Sequence, residues 1–210
     1  MRYPREHKPA VRERIVHGAA RLMRRDGPDG ASVAAVMSEA GLSHGGFYTY
    51  FSSKAALAVA GLRSAFAEGR ARWLRGVTIS PDEAWLPVVL GRYLNRRHRD
   101  DRANGCAYAA LGADFPRGEP ALRAVVTEEL GELADILAAG FADPHTAREQ
   151  ALATAALCVG GITLARAVDD AELSETILRA CRRYGRGAAQ TPGDTAVPAA
   201  DGPHPTPDRD

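Results

Sequence analysis

Cysteine is scarce in this chain. Cys106, Cys158 and Cys181 are the three in 210 residues. An odd number, set far apart, fits neither a disulfide framework nor a metal-ligand spacing, and it suits a reducing, cytoplasmic setting. Long apolar runs are also missing. No stretch approaches the roughly 18 apolar residues a membrane-spanning helix needs, so no membrane partner is expected. The opening MRYPREHKPA carries positive charge with no apolar segment behind it, unlike a signal peptide. Period-two alternation is absent, as are internal repeats, which argues against a sheet and leaves an all-α class. No Gly-rich phosphate loop or metal-ligand cluster occurs, so no cofactor and no metal are expected.

What is present is a well-supplied core with an uneven charge. Apolar residues make up 45% of the chain, enough to bury a proper interior. The net charge of +1 conceals a division. Up to Arg75 there are 13 Lys/Arg against 6 Asp/Glu, a balance of +7; the remainder holds 14 against 20, a balance of −6. A basic head on a neutral whole is the distribution of a nucleic-acid-binding domain joined to a body that does something else.

The most informative stretch is Ser43 to Phe51, SHGGFYTYF. It follows a predicted helix from Ser32 to Ala40 and a Gly41-Leu42 turn. Helix, glycine turn and second short helix form a helix-turn-helix pattern. Ser43 is expected to cap the second helix with its hydroxyl, and Phe47 and Phe51, four apart, to stack on the buried side. His44, Gly45, Tyr48 and Thr49 then face outward, with Tyr50 on the flank. Gly45 and Gly46 are poor helix formers, and close approach of the backbone to phosphate or base is one reason for them.

From Gly41 to Leu57 the chain reads GLSHGGFYTYFSSKAAL, and this resembles the signature of the TetR family of bacterial transcriptional repressors. The likeness is good over about Val11 to Leu57 and loose beyond. Ala55 departs from it, since the family often has an acidic residue after the lysine. The resemblance implies a three-helix head at 10–57, a helical regulatory and dimerisation body at 58–186, and about nine helices in all. It also implies a homodimer that sets two recognition helices on pseudo-palindromic double-stranded operator DNA and lets go when a small-molecule inducer enters the body. In the family the residues matching Tyr48 and Lys54 hold phosphates. Ser32 and Ser43, at helix N-termini, could add backbone donors, and plain capping is their other role. Base reading falls to His44, Gly45, Thr49 and Tyr50, with Gly46 beside them.

Along the body, helices are predicted from Asp26-Gly27-Pro28 stop signals, Ser53 and Ser80 starts, and apolar periodicity. The first helix spans Ala10 to Arg25, after a loose basic arm at 1–9. Ser53 opens a long helix to about Arg75, with its arginines solvated. Ser80-Pro81-Asp82-Glu83 reads as a capping box opening the next helix, which ends in the hydrophilic run Arg96 to Asp101. A short helix covers Cys106 to Asp114, and others span Pro120 to about Phe141, Pro144 to Val168, and Asp170 to about 186. Residues 187–210 hold five prolines and read as a disordered tail.

Trp85, Val89, Tyr93, Cys106, Tyr108, Phe115 and Phe141 are the residues that would line a ligand pocket within the bundle, with core packing the alternative for each. The last two helices carry more apolar and small residues than one bundle needs. Leu152, Ala156, Val159, Gly160, Leu173, Ile177 and Cys181 are therefore the expected dimer face. Cys106 opens a helix near Arg99 and Arg102, which would favour a thiolate and a sensor role; a small buried hydrophobe is the alternative. His98, Asp100, Asp101 and Cys106 lie close in sequence but no supporting motif accompanies them, so no enzyme is expected. A ligand-independent activator or nucleoid-type protein would share the head without the inducer.

Overall fold

A computed structural model describes residues 7–188, which contain nine α-helices, two short 3₁₀ segments and no strand. The class is all-α, as the periodicity implies. Most of the expected basic arm and tail lie outside the described residues. His7 to Pro9 already belong to the first helix, and Gly187 and Ala188 extend the last.

Helix α1 (His7–Gly30) buries Val11, Ile15, Ala19, Leu22 and Met23 along one stripe. Its α-geometry breaks at Gly27, with φ 78° and ψ −178°, a conformation glycine adopts without a Cβ penalty. Helix α2 (Val33–Glu39) is capped by Ser32, whose Oγ accepts the Ala35 N–H at 3.2 Å. It closes with the Gly41 N–H on the Ser38 carbonyl and the Leu42 N–H on the Met37 carbonyl. That pair of bonds needs a left-handed residue between them, which Gly41 supplies at φ 70°. A 3₁₀ segment (His44–Thr49) follows, then α3 (Lys54–Leu74), capped by Ser53 through the Ala56 N–H at 3.0 Å. The Ser43 hydroxyl makes no capping bond, against expectation. In the tighter 3₁₀ turn the Gly46 N–H goes to the Ser43 backbone carbonyl instead.

The body corrects one helix start. Ser80 to Glu83 form a turn, with the Asp82 N–H on Ser80 Oγ, and α4 begins at Trp85 (Trp85–Tyr93). Pro87 explains the delay. A helix opened at Pro81 would bury Pro87 in its interior, where a missing N–H and a ring clash cost about 3 kcal/mol; starting at Trp85 puts it in the first turn, where neither matters. Arg96 to Asp100 form a separate helix, α5, capped by the Asn95 side chain on the His98 N–H. This segment is no simple hydrophilic end, since His98 is buried within it.

Helices α6 (Ala107–Leu111), α7 (Pro120–Ala138), α8 (Ala147–Ala167) and α9 (Ala171–Ala188) complete the body, with a single 3₁₀ turn, Phe115–Arg117, between α6 and α7. Helix α8 packs on α5, α6, α7 and α9. By length and composition it is apolar enough to cross a membrane, unlike anything expected from the sequence. Its place in the bundle accounts for one side of that apolar surface.

Two apolar cores meet along α3. The head core includes Phe47, Phe51, Leu62 and Phe66, and it is completed by Ala107, Leu111 and Val125 of the body. The second gathers α4, α8 and α9 around Leu90, Leu94, Ile162 and Leu178.

Candidate nucleic-acid interface and the body cavity

The 3₁₀ segment divides its side chains sharply. Phe47 and Phe51 are buried and stack at 6.0 Å with 17° between their planes, as their spacing implies. Tyr48 stands edge-on to Phe47 at 5.1 Å yet is 77% exposed. His44, Gly45, Thr49, Ser43 and Ser32 are exposed, as is Lys54 at the first position of α3. Tyr50, expected on the flank, is half-buried against the head core. A Cβ added to Gly45 would meet no atom within 4 Å, and one at Gly46 would touch Met37 Cε at 3.7 Å. Neither glycine is required by packing within the chain.

Polar ties fasten this head to the body. Arg24 of α1 is buried, and its guanidinium donates to Glu68 Oε2 at 2.7 Å, to the Ala65 carbonyl at 3.3 Å and to the Ala103 carbonyl at 2.7 Å. Burial raises the Glu68 carboxyl, but hydrogen bonds from Arg24, His17 and Ser64 and the Arg24 charge outweigh it and leave the group below its ordinary value. The α3 arginines are only partly solvated as expected. Arg63 pairs with Glu128 at 2.6 Å, and Arg70 with Glu129 at 3.0 Å and Glu132 at 3.2 Å.

Between α3, α4, α6, α7 and α8 lies a cavity of about 70 Å³. The structure brings Val89, Tyr93, Cys106 and Tyr108 of the expected pocket residues to its wall. It places the other three elsewhere. Trp85 packs edge-on against Phe141 at 5.4 Å and donates its indole N–H to the Gly140 carbonyl at 3.0 Å, while Phe115 faces a separate groove against α7 and α8. Sequence reasoning missed Phe66, Gly69, Arg70 and Trp73 of α3, and Glu129 of α7, all of which reach the cavity. Phe66, Gly69 and Trp73 stand at helical spacing, but spacing alone does not tell a cavity wall from packed core.

His98 buttresses this wall. Its ring lies 4.3 Å from Trp73 and 4.5 Å from Tyr93. Nδ1 is 2.7 Å from the Tyr93 carbonyl and Nε2 is 3.0 Å from the Cys106 N–H. A carbonyl can only accept and an amide can only donate, so the ring is neutral with its proton on Nδ1. Burial accordingly lowers its pKa to about 4. With both nitrogens committed, His98 has none to offer as a catalytic base. Cys106 is buried at the start of a five-residue helix. Arg99, expected beside it, is spent on Asp100 at 2.7 Å and Ser174 at 2.9 Å. Burial pushes the neighbouring Cys158 thiol up to about 12. Among the described residues no three His, Cys, Asp or Glu side chains gather as metal ligands.

The α8–α9 surface presents Leu152 at 40% exposure and Leu173 at 48%, with Ala156 exposed and Val159, Gly160 and Ile177 half-buried. Leu164 and Tyr184, missed from the sequence, are more exposed than either leucine. Cys181 turns inward instead. Its sulfur lies 3.0 Å from where a Cβ on Gly161 would stand, so it fills the α8–α9 contact.

Residues 15–60 match the model of the bacterial regulatory proteins of the tetR family. A TetR transcriptional regulator from Chloroflexus aurantiacus J-10-FL has a similar solved structure, 25% identical, with a TM-score of 0.68 over 85% of this chain and 96% of that one. The head is a tetR-family DNA-binding domain, and the chain has the fold of TetR-family transcriptional regulators. The multidrug binding protein EbrR, solved with imidazole, is 28% identical, with a TM-score of 0.57 over 81% of the regulator and 93% of EbrR. Reduced Escherichia coli NemR, 20% identical with a TM-score of 0.67 over 85% of the regulator and 97% of NemR, shares the fold. No curated protein matches the regulator.

Proposed function

We propose that this regulator is a homodimeric repressor, held on its operator by the Tyr48 and Lys54 face and released when a small molecule occupies the α3-lined cavity. The observation that carries the reading is the course of α3. Its first residue, Lys54, adjoins the recognition segment, and Phe66, Gly69, Arg70 and Trp73 further along line the cavity. A rigid helix of 21 residues, about 31 Å long, converts a small displacement at the cavity into a displacement at the DNA face. Arg24 adds a second tie, from α1 to the segment just before Cys106.

Tyr48 offers a phenol donor and Lys54 a point cation, both suited to phosphate. His44, Gly45 and Thr49 stand where a major-groove edge would be read, and Gly45 leaves room for it. Ser32 and Ser43 would bring helix N-termini to the backbone. The side of α8 and α9 that no helix among the described residues covers is the face a second copy would bury, which makes the pair isologous. Ligand shifts the population towards a conformer with the wrong head-to-head spacing.

A gel shift with the DNA immediately upstream of the regulator's own gene, followed by a compound screen for release, tests the reading. Specific retention with at least one releasing compound supports it. Equal retention on unrelated sequences, insensitive to every compound, overturns it in favour of a nucleoid-type protein.

A further inference from the structure

The cavity wall holds three buried polar atoms with no hydrogen-bond partner among the described residues: Trp73 Nε1, the Tyr93 hydroxyl and the Tyr108 hydroxyl. Their residues belong to three different helices, and all three line the same cavity. The Cys106 sulfur is close enough to Tyr93 to help raise its phenol, but is not placed to accept its hydrogen. Leaving a buried donor unmade costs about 1–3 kcal/mol, so three in one small cavity are a cost that packing alone does not explain.

Their chemistry restricts what could satisfy them. An indole N–H donates only, so whatever meets Trp73 must bring an acceptor. Burial raises both phenols well above their ordinary value, so each keeps its proton and remains a donor at neutral pH. The charged groups on the wall, Arg70 and Glu129, are spent on each other at 3.0 Å, and neither is free for an ionic ligand. The remaining surface is apolar, from Phe66, Val89, Leu133 and Leu137. The volume of about 70 Å³ admits only a compact molecule.

We infer that the ligand of this cavity is a small, uncharged organic molecule whose carbonyl-type oxygen accepts from the Trp73, Tyr93 and Tyr108 donors. This rests on the reading of the cavity as the effector site and names the class of effector. A hydrocarbon of the same shape would leave all three donors unpaired, and a carboxylate would put a second anion beside Glu129.

The test uses the full-length regulator and two isosteric probes that suit about 70 Å³, acetone and isobutene, with acetate as a third. Binding is read by calorimetry, apart from DNA. We expect acetone to bind at least about tenfold more tightly than either of the others. Tyr93→Phe and Tyr108→Phe, singly and together, should bring acetone down towards isobutene while leaving isobutene unchanged. The unchanged hydrocarbon shows that the cavity persists in the variants. Equal affinity for acetone and isobutene in the wild type, or a preference for acetate, overturns the assignment. A gel shift with acetone then separates the two readings. Tight, tyrosine-dependent binding without release of DNA upholds the ligand class and counts against the release mechanism.

Discussion

Head and body of this regulator expose different things. Among the described residues of the head, the one large aromatic or aliphatic side chain that stands well clear of the surface is Tyr48, which carries a hydroxyl at its tip. In the body the comparable side chains are mostly aliphatic, with Leu164 and Leu173 prominent on α8 and α9. A polar-tipped, small-residue face suits a hydrated, charged partner. An aliphatic face recovers free energy only against another apolar face, at about 25 cal/mol per Å² covered. The two regions also use their interior differently. The buried cation of the head, Arg24, has its donors spent on Glu68 and two carbonyls, whereas the body keeps three buried donors unspent around a cavity. One interior is finished for rigidity, and the other, on the function we propose, is left open for a ligand.

The sharpest way to break this contrast lies on α8, where two adjacent glycines face opposite ways. A Cβ on Gly160 meets nothing within 4 Å, while one on Gly161 would lie 2.8 Å from Leu94 Cδ2. Gly160→Arg is expected to give helical monomers whose operator affinity falls by at least about a hundredfold, since one half-site supplies only part of the binding. Gly161→Val should instead destabilise the fold by about 1–3 kcal/mol. Sedimentation and thermal melts distinguish the two, and a Gly160→Arg dimer would refute the interface.

Removing the Arg24 guanidinium tests the finished interior. Because Glu68 is partly exposed, we expect Arg24→Ala to cost about 2–3 kcal/mol, at or below the range for breaking a buried pair. The effect should depend on pH. Glu68 has a folded pKa below its unfolded value, so its contribution is present above the unfolded value and is lost as pH falls through the folded one. The gap between wild type and variant in urea unfolding should therefore narrow from pH 7 towards pH 3. His98 adds a slope of its own. Folded near 4 and unfolded near 6.5, it takes up a proton more readily in the unfolded chain, so stability should decline between those values as pH falls, and His98→Gln should flatten that limb.

On the DNA side the expected changes are smaller. Tyr48→Phe and Lys54→Ala should each weaken binding about tenfold on every sequence, with Lys54→Ala lowering the salt slope by about one unit. Thr49→Ala or His44→Ala should alter half-site preference instead. A Lys54→Ala variant with unchanged affinity and slope would remove the docking. The smallest effect is assigned to Cys106. Buried, and with Arg99 engaged elsewhere, it is expected to act as core, so peroxide before a gel shift should leave wild type and Cys106→Ser equally bound. A loss of DNA confined to the wild type would restore the sensor role.

Much of this molecule was legible without coordinates, and for local reasons. Helix periodicity, the Ser32 and Ser53 caps, the Gly41 turn and the Phe47–Phe51 pair are decided within a few residues of chain, so the all-α class and the recognition segment could be read directly. Pro87 was equally local and was overlooked, which misplaced the start of α4. Other features depend on residues far apart in sequence. Periodicity marks an apolar side chain as inward-facing but does not say whether it meets a neighbour or a cavity. Phe66 and Trp73 are therefore absent from the expected pocket, Trp85 and Phe141 are included in it, and His98 falls in a run expected to be hydrophilic. The chain alone determined the helical class, the helix-turn-helix and most of the apolar side chains that turn inward. Tertiary structure decided which inward groups remain unpaired, because a hydrogen bond across α3, α4 and α6 depends on how those helices cross, and no short stretch of sequence records that angle.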